Sequence, residues 1–563
     1  MSAVGVRFPL ALAGTGRFHG GWAWVTVGAC VAAWVPAGIR WLRVAQREHY
    51  LGGAATRFAI RWWRSTGPNA ALAVAAIAAA AASLAWPIAG VATAGVVALG
   101  PLGLSLRGRT SPLHWTRRLR TLAAAWATVE VVVVAIGLVT GLAAPLSVAA
   151  ALAVPLAVDL ACWSTAPLER RLSAPFVDQA RARLQRVDPT VVGITGSFGK
   201  TSTKGHIAHL VRPTRTVVAT PASFNNRAGL ARAINEHLTD GTEVFVAEMG
   251  TYGPGEIADL CRWCPPDIAV MTAIGPVHLE RFGSEDRIVE AKSEILASAG
   301  DVVLQVDDRR LAAVADRAEA QGKRVLRCSA VDRSAEVCVV RSDDGSRVSA
   351  YAHGAALAED VAVAAGIQPA NLAIAIAVAL VLKVDPAVVG ARLVDLPQVD
   401  HRLQAVQAAS GATVLDDTYN SNPAGAAEAL GALAASTRPG PEPGAGAGAG
   451  PRAGPREEAG SARPHRSVVV TPGMVELGSR QLEENRRFGA AIAGVATDAL
   501  VVGRTNRRAL LAGVDSTAGS PTAGSPTEVR LVPDRRRAVV WVREHLGPGD
   551  AVLYENDLPD HYP

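Results

Sequence analysis

Lysine is almost missing from this chain of 563 residues: there are five (Lys200, Lys204, Lys292, Lys323, Lys383) against 51 arginines. Arginine therefore supplies ordinary positive charge, and each lysine calls for a chemical reason, since only an amine can lose its proton and react with carbon dioxide. Cysteine is also scarce, with six scattered thiols (Cys30, Cys162, Cys261, Cys264, Cys328, Cys338) that make no disulfide framework. Cys261 and Cys264 form one C-x-x-C, but no second pair at similar spacing completes a structural zinc site, so buried free thiols are expected. Aromatic residues are 5% of the chain, yet ten of the twelve tryptophans lie before residue 165. The net charge of +6 comes without any nucleic-acid recognition motif, which excludes nucleic acid as the expected partner.

The apolar excess is just as local. Five stretches near bilayer length are expected at 21–39, 69–87, 88–105, 121–141 and 143–163, none with the form of a cleaved leader. The connection at 40–68 carries six arginines (Arg40, Arg43, Arg47, Arg57, Arg61, Arg64), that at 107–120 carries five, and Arg170 and Arg171 follow the last stretch. The two remaining connections are uncharged, so the positive-inside rule places everything after 165 in the cytoplasm. A multi-pass cell-membrane protein in contact with lipids is the expectation for 1–165. Glu130 and Asp159 fall inside two of these stretches, where a carboxylate is either functional or a structural contact between helices.

Beyond 190 the pattern becomes that of an α/β protein. Apolar runs such as Val191–Ile194, Val244–Ala247 and Ile268–Thr272 alternate with helical stretches, as in a parallel sheet. Residues 166–395 and 396–563 read as two such domains, the second interrupted by the Gly/Pro/Ala-rich insertion 437–463, which lacks the residues to build a core. Val191–Ile194 runs into Thr195-Gly196-Ser197-Phe198-Gly199-Lys200-Thr201-Ser202 and then a helix. Such a loop cradles phosphate: glycines admit backbone N–H groups to the oxygens, Lys200 neutralises charge, and the Thr201 hydroxyl can ligate Mg²⁺. Its glycine spacing is shorter than the common G-x-x-x-x-G-K-[ST] form, because Ile194 stands five before Gly199.

Further motifs follow in order: Ser223-Phe224-Asn225-Asn226, Ala247-Glu248-Met249-Gly250, His278-Leu279-Glu280-Arg281-Phe282-Gly283-Ser284, Ala291-Lys292, His401-Arg402-Leu403, Leu415-Asp416-Asp417-Thr418-Tyr419-Asn420-Ser421-Asn422-Pro423 and Val470-Thr471-Pro472-Gly473-Met474-Val475-Glu476-Leu477-Gly478. Together with the phosphate loop, this succession resembles the Mur ligases over about 185–563, most closely the branch that adds D-alanyl-D-alanine to a muramoyl tripeptide. The resemblance implies a central P-loop ATP-binding domain, a C-terminal Rossmann-like domain, and an ATP-dependent ligase that couples a carboxylate to an amine through an acyl phosphate. It departs in three places: a membrane region stands where the family's uridine-binding domain would be, Ile367 replaces an expected histidine, and the end Tyr554-Glu555-Asn556-Asp557 is unusual.

The same resemblance implies roles for individual residues. Gly196, Ser197, Gly199, Lys200, Thr201, Ser202, Asn371, Arg402 and Asp417 would bind ATP, and Thr201, Glu248, His278 and Lys292 would hold two Mg²⁺, with Lys292 carbamylated. Lys200, His278 and Lys292 would be catalytic. Asn225, Asn226, Tyr419, Asn420 and Asn422 would bind substrate, a cell-wall precursor that is free or lipid-linked. Two other functions fit parts of the chain: an amide ligase of another polymer, such as poly-γ-glutamate, and a P-loop transport ATPase. The second leaves His278, Lys292 and the Asp416–Pro423 motif without work.

Overall fold

The computed structural model describes residues 18–108, 112–343, 345–364, 366–397, 403–418, 422–437, 465–517, 526–558 and 561–563. Most of the insertion 437–463 and the expected site residues Arg402, Tyr419 and Asn420 lie outside the described residues. The chain divides into two units, residues 1–172 with 558–563, and residues 173–557.

The first unit is helical: α1 (Phe18–Arg47), α2 (Ala54–Arg64), α3 (Gly67–Ala82), α4 (Ala89–Leu99), α5 (Arg117–Thr140), α6 (Ala143–Leu152) and α7 (Val154–Val187), the last continuing into the second unit. By length and composition α1 and α5 can each cross a membrane. The bent pairs α2–α3 (112°) and α6–α7 (76°) raise the count among the described residues to four at most, against the five stretches expected. The difference lies in breaks that hydropathy does not register. Thr66 caps α3 ahead of Pro68, and the 88–105 stretch holds only the eleven-residue α4, about 16 Å long at 1.5 Å per residue.

Polar groups in this unit serve helix ends. Asp159 accepts from the backbone N–H groups of Ala55 (3.1 Å) and Thr56 (2.9 Å), capping α2. Arg40 donates to the carbonyls of Ala98 (2.8 Å), Leu99 (3.1 Å) and Leu104 (3.3 Å), satisfying the end of α4. Glu130 accepts from Trp126 Nε1 at 3.1 Å. Both carboxylates thus have partners inside the helical unit, as a structural contact requires, and Arg40 and Arg43 are buried. The last residues of the chain pack here too: Trp62 Nε1 donates to the His561 carbonyl (2.7 Å), the His561 ring meets Glu48 (3.0 Å), and Tyr562 stands edge-on to Phe58.

The second unit holds two sheets. The first comprises β1 (Thr190–Thr195), β2 (Val217–Ala219), β3 (Val244–Glu248), β4 (Ile268–Met271), β5 (Asp301–Gln305), β6 (Arg324–Ser329), β7 (Val337–Arg341), β8 (Arg347–Ala352) and β9 (Ala355–Ala362), in the order β2-β3-β1-β4-β5-β6-β7-β8-β9. It is parallel as far as β7 and antiparallel over β8 and β9. Alternate residues of β1, β3 and β4 enter separate cores: Val191, Phe245 and Ala269 on one face, Val192, Val246 and Ile268 on the other. Two covered faces explain why these strands are continuous apolar runs.

The second sheet comprises β10 (Gln404–Gln407), β11 (Thr413–Asp417), β12 (Ser467–Thr471), β13 (Asp498–Val502), β14 (Glu528–Val532) and β15 (Ala551–Glu555), ordered β10-β11-β15-β12-β13-β14. Only β10 runs antiparallel. Ligands of such sheets bind outside the carboxyl ends of the strands. In the first sheet Thr195 and Glu248 stand at those ends, and in the second Asp417, Thr471 and Glu555 do.

Candidate active site

The phosphate loop leaves β1 at Thr195 and enters α8 (Lys200–Val211). Gly199 has φ +85°, a left-handed conformation, and a side chain there would overlap the Asn371 amide. Ser197 fixes the loop, donating to the Gly275 carbonyl (3.2 Å) and accepting from the Gly275 N–H (3.1 Å). Lys200 Nζ and Lys292 Nζ both donate to the Gly196 carbonyl, at 2.8 and 3.0 Å. Lys292 lies on the helix Glu285–Ser293, capped by Ser284. Burial, reinforced by the nearby Lys200 charge, holds the Lys292 ammonium well below its ordinary pKa. A buried amine depressed in this way is nucleophilic.

Glu248 is the anion of the site. Its Oε2 accepts from the Thr201 hydroxyl (3.0 Å) and Lys204 Nζ (3.0 Å), and its Oε1 from Asn225 Nδ2 (3.1 Å). Burial alone would raise this carboxyl, but Lys204 and Lys200 with these hydrogen bonds outweigh it and hold the pKa below the ordinary value. A half-buried hydroxyl and a buried carboxylate 3.0 Å apart beside a phosphate loop are the hard oxygen donors that suit Mg²⁺.

His278 pairs with a different residue. It has φ +60°, and its Nδ1 meets Glu476, whose Oε1 also accepts from Arg281 (3.2 Å). Burial, opposed by Glu476, leaves its pKa lowered. Among the described residues no three His, Cys, Asp or Glu side chains gather as a metal centre, so Glu248 and His278 are not brought together with a third such ligand.

A cavity of about 410 Å³ opens at the loop, lined by Gly199, Ser202 and Asn371 from the first sheet's domain and by Asp417, Asn422 and Glu428 from the second. Gly199, Ser202, Asn371 and Asp417 were all expected at ATP. Two expected substrate residues have local duties: Asn226 caps α9 (Arg227–His237), accepting from Gly229 N–H (2.9 Å), and Asn422 caps Pro423–Ser436, accepting from Gly425 N–H (3.0 Å). Ile367 is a core residue at 2% exposure. Cys261 and Cys264 are unpaired and buried, which pushes the Cys261 thiol up to about 11 and disfavours a metal-binding thiolate. The motif reading gave no role to Lys204 or Glu476: lysine scarcity singled out the first and the motif Val470–Gly478 contained the second, but neither signal names a partner.

Residues 194–379 match the Mur ligase middle domain. The chain is 33% identical over 377 residues to a UDP-N-acetylmuramoyl-tripeptide–D-alanyl-D-alanine ligase of Mycobacterium bovis, covering 65% of this chain and 69% of the relative. Among solved structures it is similar to the MurF ligase of Thermotoga maritima in complex with ADP (25% identity, TM-score 0.51, 68% of this chain and 80% of that one). MurF of Acinetobacter baumannii, at 20% identity and TM-score 0.53 over 68% and 77% of the two chains, shares the fold.

Proposed function

The chain belongs to the Mur ligase family, ATP-dependent enzymes that form carbon–nitrogen bonds, and from that premise we infer that it joins D-alanyl-D-alanine to a muramoyl tripeptide in peptidoglycan biosynthesis. A carboxylate is a poor electrophile. Transfer of the γ-phosphoryl group of ATP gives an acyl phosphate, which the amine attacks with loss of phosphate and a proton. Lys200 and the loop N–H groups would hold the phosphates, while Asn371 and Asp417 would face the nucleotide in the cavity. Thr201 and Glu248 would hold Mg²⁺, which screens the repulsion between carboxylate and ATP.

The observation that carries this reading is the buried Lys292 amine beside Lys200 at the Gly196 carbonyl. We propose that Lys292 is the carbamylated ligand: burial favours its neutral amine, whose lone pair would attack carbon dioxide with release of a proton, and the carbamate would be an oxygen donor for a second Mg²⁺. His278 would join it after leaving Glu476. The helical unit would anchor the enzyme in the cell membrane with its ligase unit in the cytoplasm, acting on an acceptor presented at the membrane.

The test is incubation with ATP, Mg²⁺, D-alanyl-D-alanine and either soluble or lipid-linked muramoyl tripeptide, with products read by mass spectrometry. Ligation with neither acceptor overturns the function, and a lack of preference for the lipid-linked form overturns presentation at the membrane. Lys292→Arg should abolish turnover, because guanidinium forms no carbamate; wild-type turnover by that variant overturns the assignment of Lys292.

A further inference from the structure

One buried lysine remains without work in this scheme. Lys204 lies one helical turn beyond Lys200 on α8 and is 5% exposed. Its ammonium donates in two directions, to Glu248 Oε2 at 3.0 Å and to the Ala222 carbonyl at 2.6 Å. The second partner is unusual. Ala222 has φ +41°, in the region that L-residues other than glycine avoid, and its own side chain is exposed, so no packing of that methyl holds the conformation.

Around Ala222 the segment 220–226 turns sharply. Phe224 N–H donates to the Pro221 carbonyl (3.0 Å) and Asn225 N–H to the Ser223 carbonyl (2.8 Å), which presents the Asn225 amide to Glu248 Oε1. The far end is tied by Gly250 N–H to the Asn225 carbonyl (2.7 Å) and the near end by Glu248 N–H to Thr220 Oγ1 (3.2 Å). Ala222 lies between these ties. The contact that holds its peptide from below is the Lys204 ammonium.

We propose that Lys204 is a positioning residue for the acceptor, holding segment 220–226 in its strained turn so that Asn225 stands beside Glu248. This rests on the reading of that segment as an acceptor contact. The residue type follows from the geometry: a single nitrogen carrying three donors can serve a carboxylate and a carbonyl on different elements, whereas a planar guanidinium fork is larger and directs its donors in one plane. A chain that uses arginine almost everywhere keeps lysine here.

The test is steady-state kinetics of the full-length enzyme with UDP-N-acetylmuramoyl tripeptide, with calorimetric binding of the same acceptor in the presence of ADP and Mg²⁺. Lys204→Met should raise the acceptor KM about tenfold, the loss of one charge-assisted hydrogen bond, and by more than it changes KM for ATP. Adding Ala222→Gly in that background should restore the acceptor KM to within about threefold of wild type, because glycine adopts a positive φ without help. A lysine that merely balanced the Glu248 charge would not be rescued from that position. Ala222→Val, which leaves the lysine in place, should raise the acceptor KM by itself, and Lys204→Gln serves if the Met variant fails to fold.

An unchanged acceptor KM in Lys204→Met, or no restoration by glycine, overturns the proposal. Asn225→Ala separates the two levels. If it leaves acceptor binding intact, the acceptor reading of the segment falls and the role of Lys204 with it; if it weakens binding while Lys204→Met is inert, Lys204 alone is refuted.

Discussion

Replacing Glu555 by glutamine should remove a pH dependence built into the second sheet. Glu555 ends β15, is fully buried, and lies in register with Asp417 on β11. Burial, aided by Asp417 and opposed by the Thr471 hydroxyl that donates to it at 2.5 Å, pushes its carboxyl from 4.5 up to about 8. Between those values the folded state keeps the proton and the unfolded chain releases it. The contribution of Glu555 to stability is therefore complete below 4.5, falls as pH rises and levels off above 8. From pH 6 to pH 8 the loss is at most roughly 3 kcal/mol at 1.36 kcal/mol per pH unit. Relaxation of the strand end reduces this to about 1–2 kcal/mol.

Glutamine has the same shape, accepts from Thr471 through its carbonyl and cannot ionise. Amide exchange of β15 in wild type and Glu555→Gln, compared at each pH, cancels the intrinsic pH dependence of exchange. The variant should exchange more slowly than wild type by a factor that grows roughly ten-fold between pH 6 and pH 8.5. A rate ratio that stays flat from pH 6 to pH 8.5 would refute the burial argument, as would loss of protection in the variant at pH 6.

Gly199→Ala should lower stability by about 1–2 kcal/mol through its left-handed φ of +85° and, by displacing Asn371, weaken ADP binding more than tenfold in calorimetry; unaltered binding contradicts the loop geometry. Tyr562→Ala removes the edge-on contact with Phe58 and the Arg61 cation over its ring, and should lower the detergent unfolding midpoint of the helical unit by an amount worth about 1–3 kcal/mol. An unshifted midpoint would show that the chain end does not stabilise that unit.

Several features were legible in the residues alone because they depend on neighbours in the chain. Val191–Ile194 followed by a glycine-bearing loop and Lys200-Thr201 is a local pattern, and it folds as strand, phosphate loop and α8. The continuous apolar runs became strands covered on both faces, since burial on two sides removes the alternation that a half-exposed strand shows. Lysine scarcity drew attention to Lys200, Lys204 and Lys292, which stand together at the phosphate loop although 92 positions separate the first from the last.

The tertiary structure decided what depends on distant partners. Hydropathy averages over a window, so it registered apolar stretches but not the bends of 112° and 76° that divide them. Asp159 and Arg40 looked like functional or topological charges until the backbone ends they satisfy were brought beside them. His278 faces Glu476, 198 positions away, and His561 faces Glu48, 513 positions away. Such pairs leave no local pattern, because a side chain's chemistry is written in its own residue but its partner is chosen only when the chain folds.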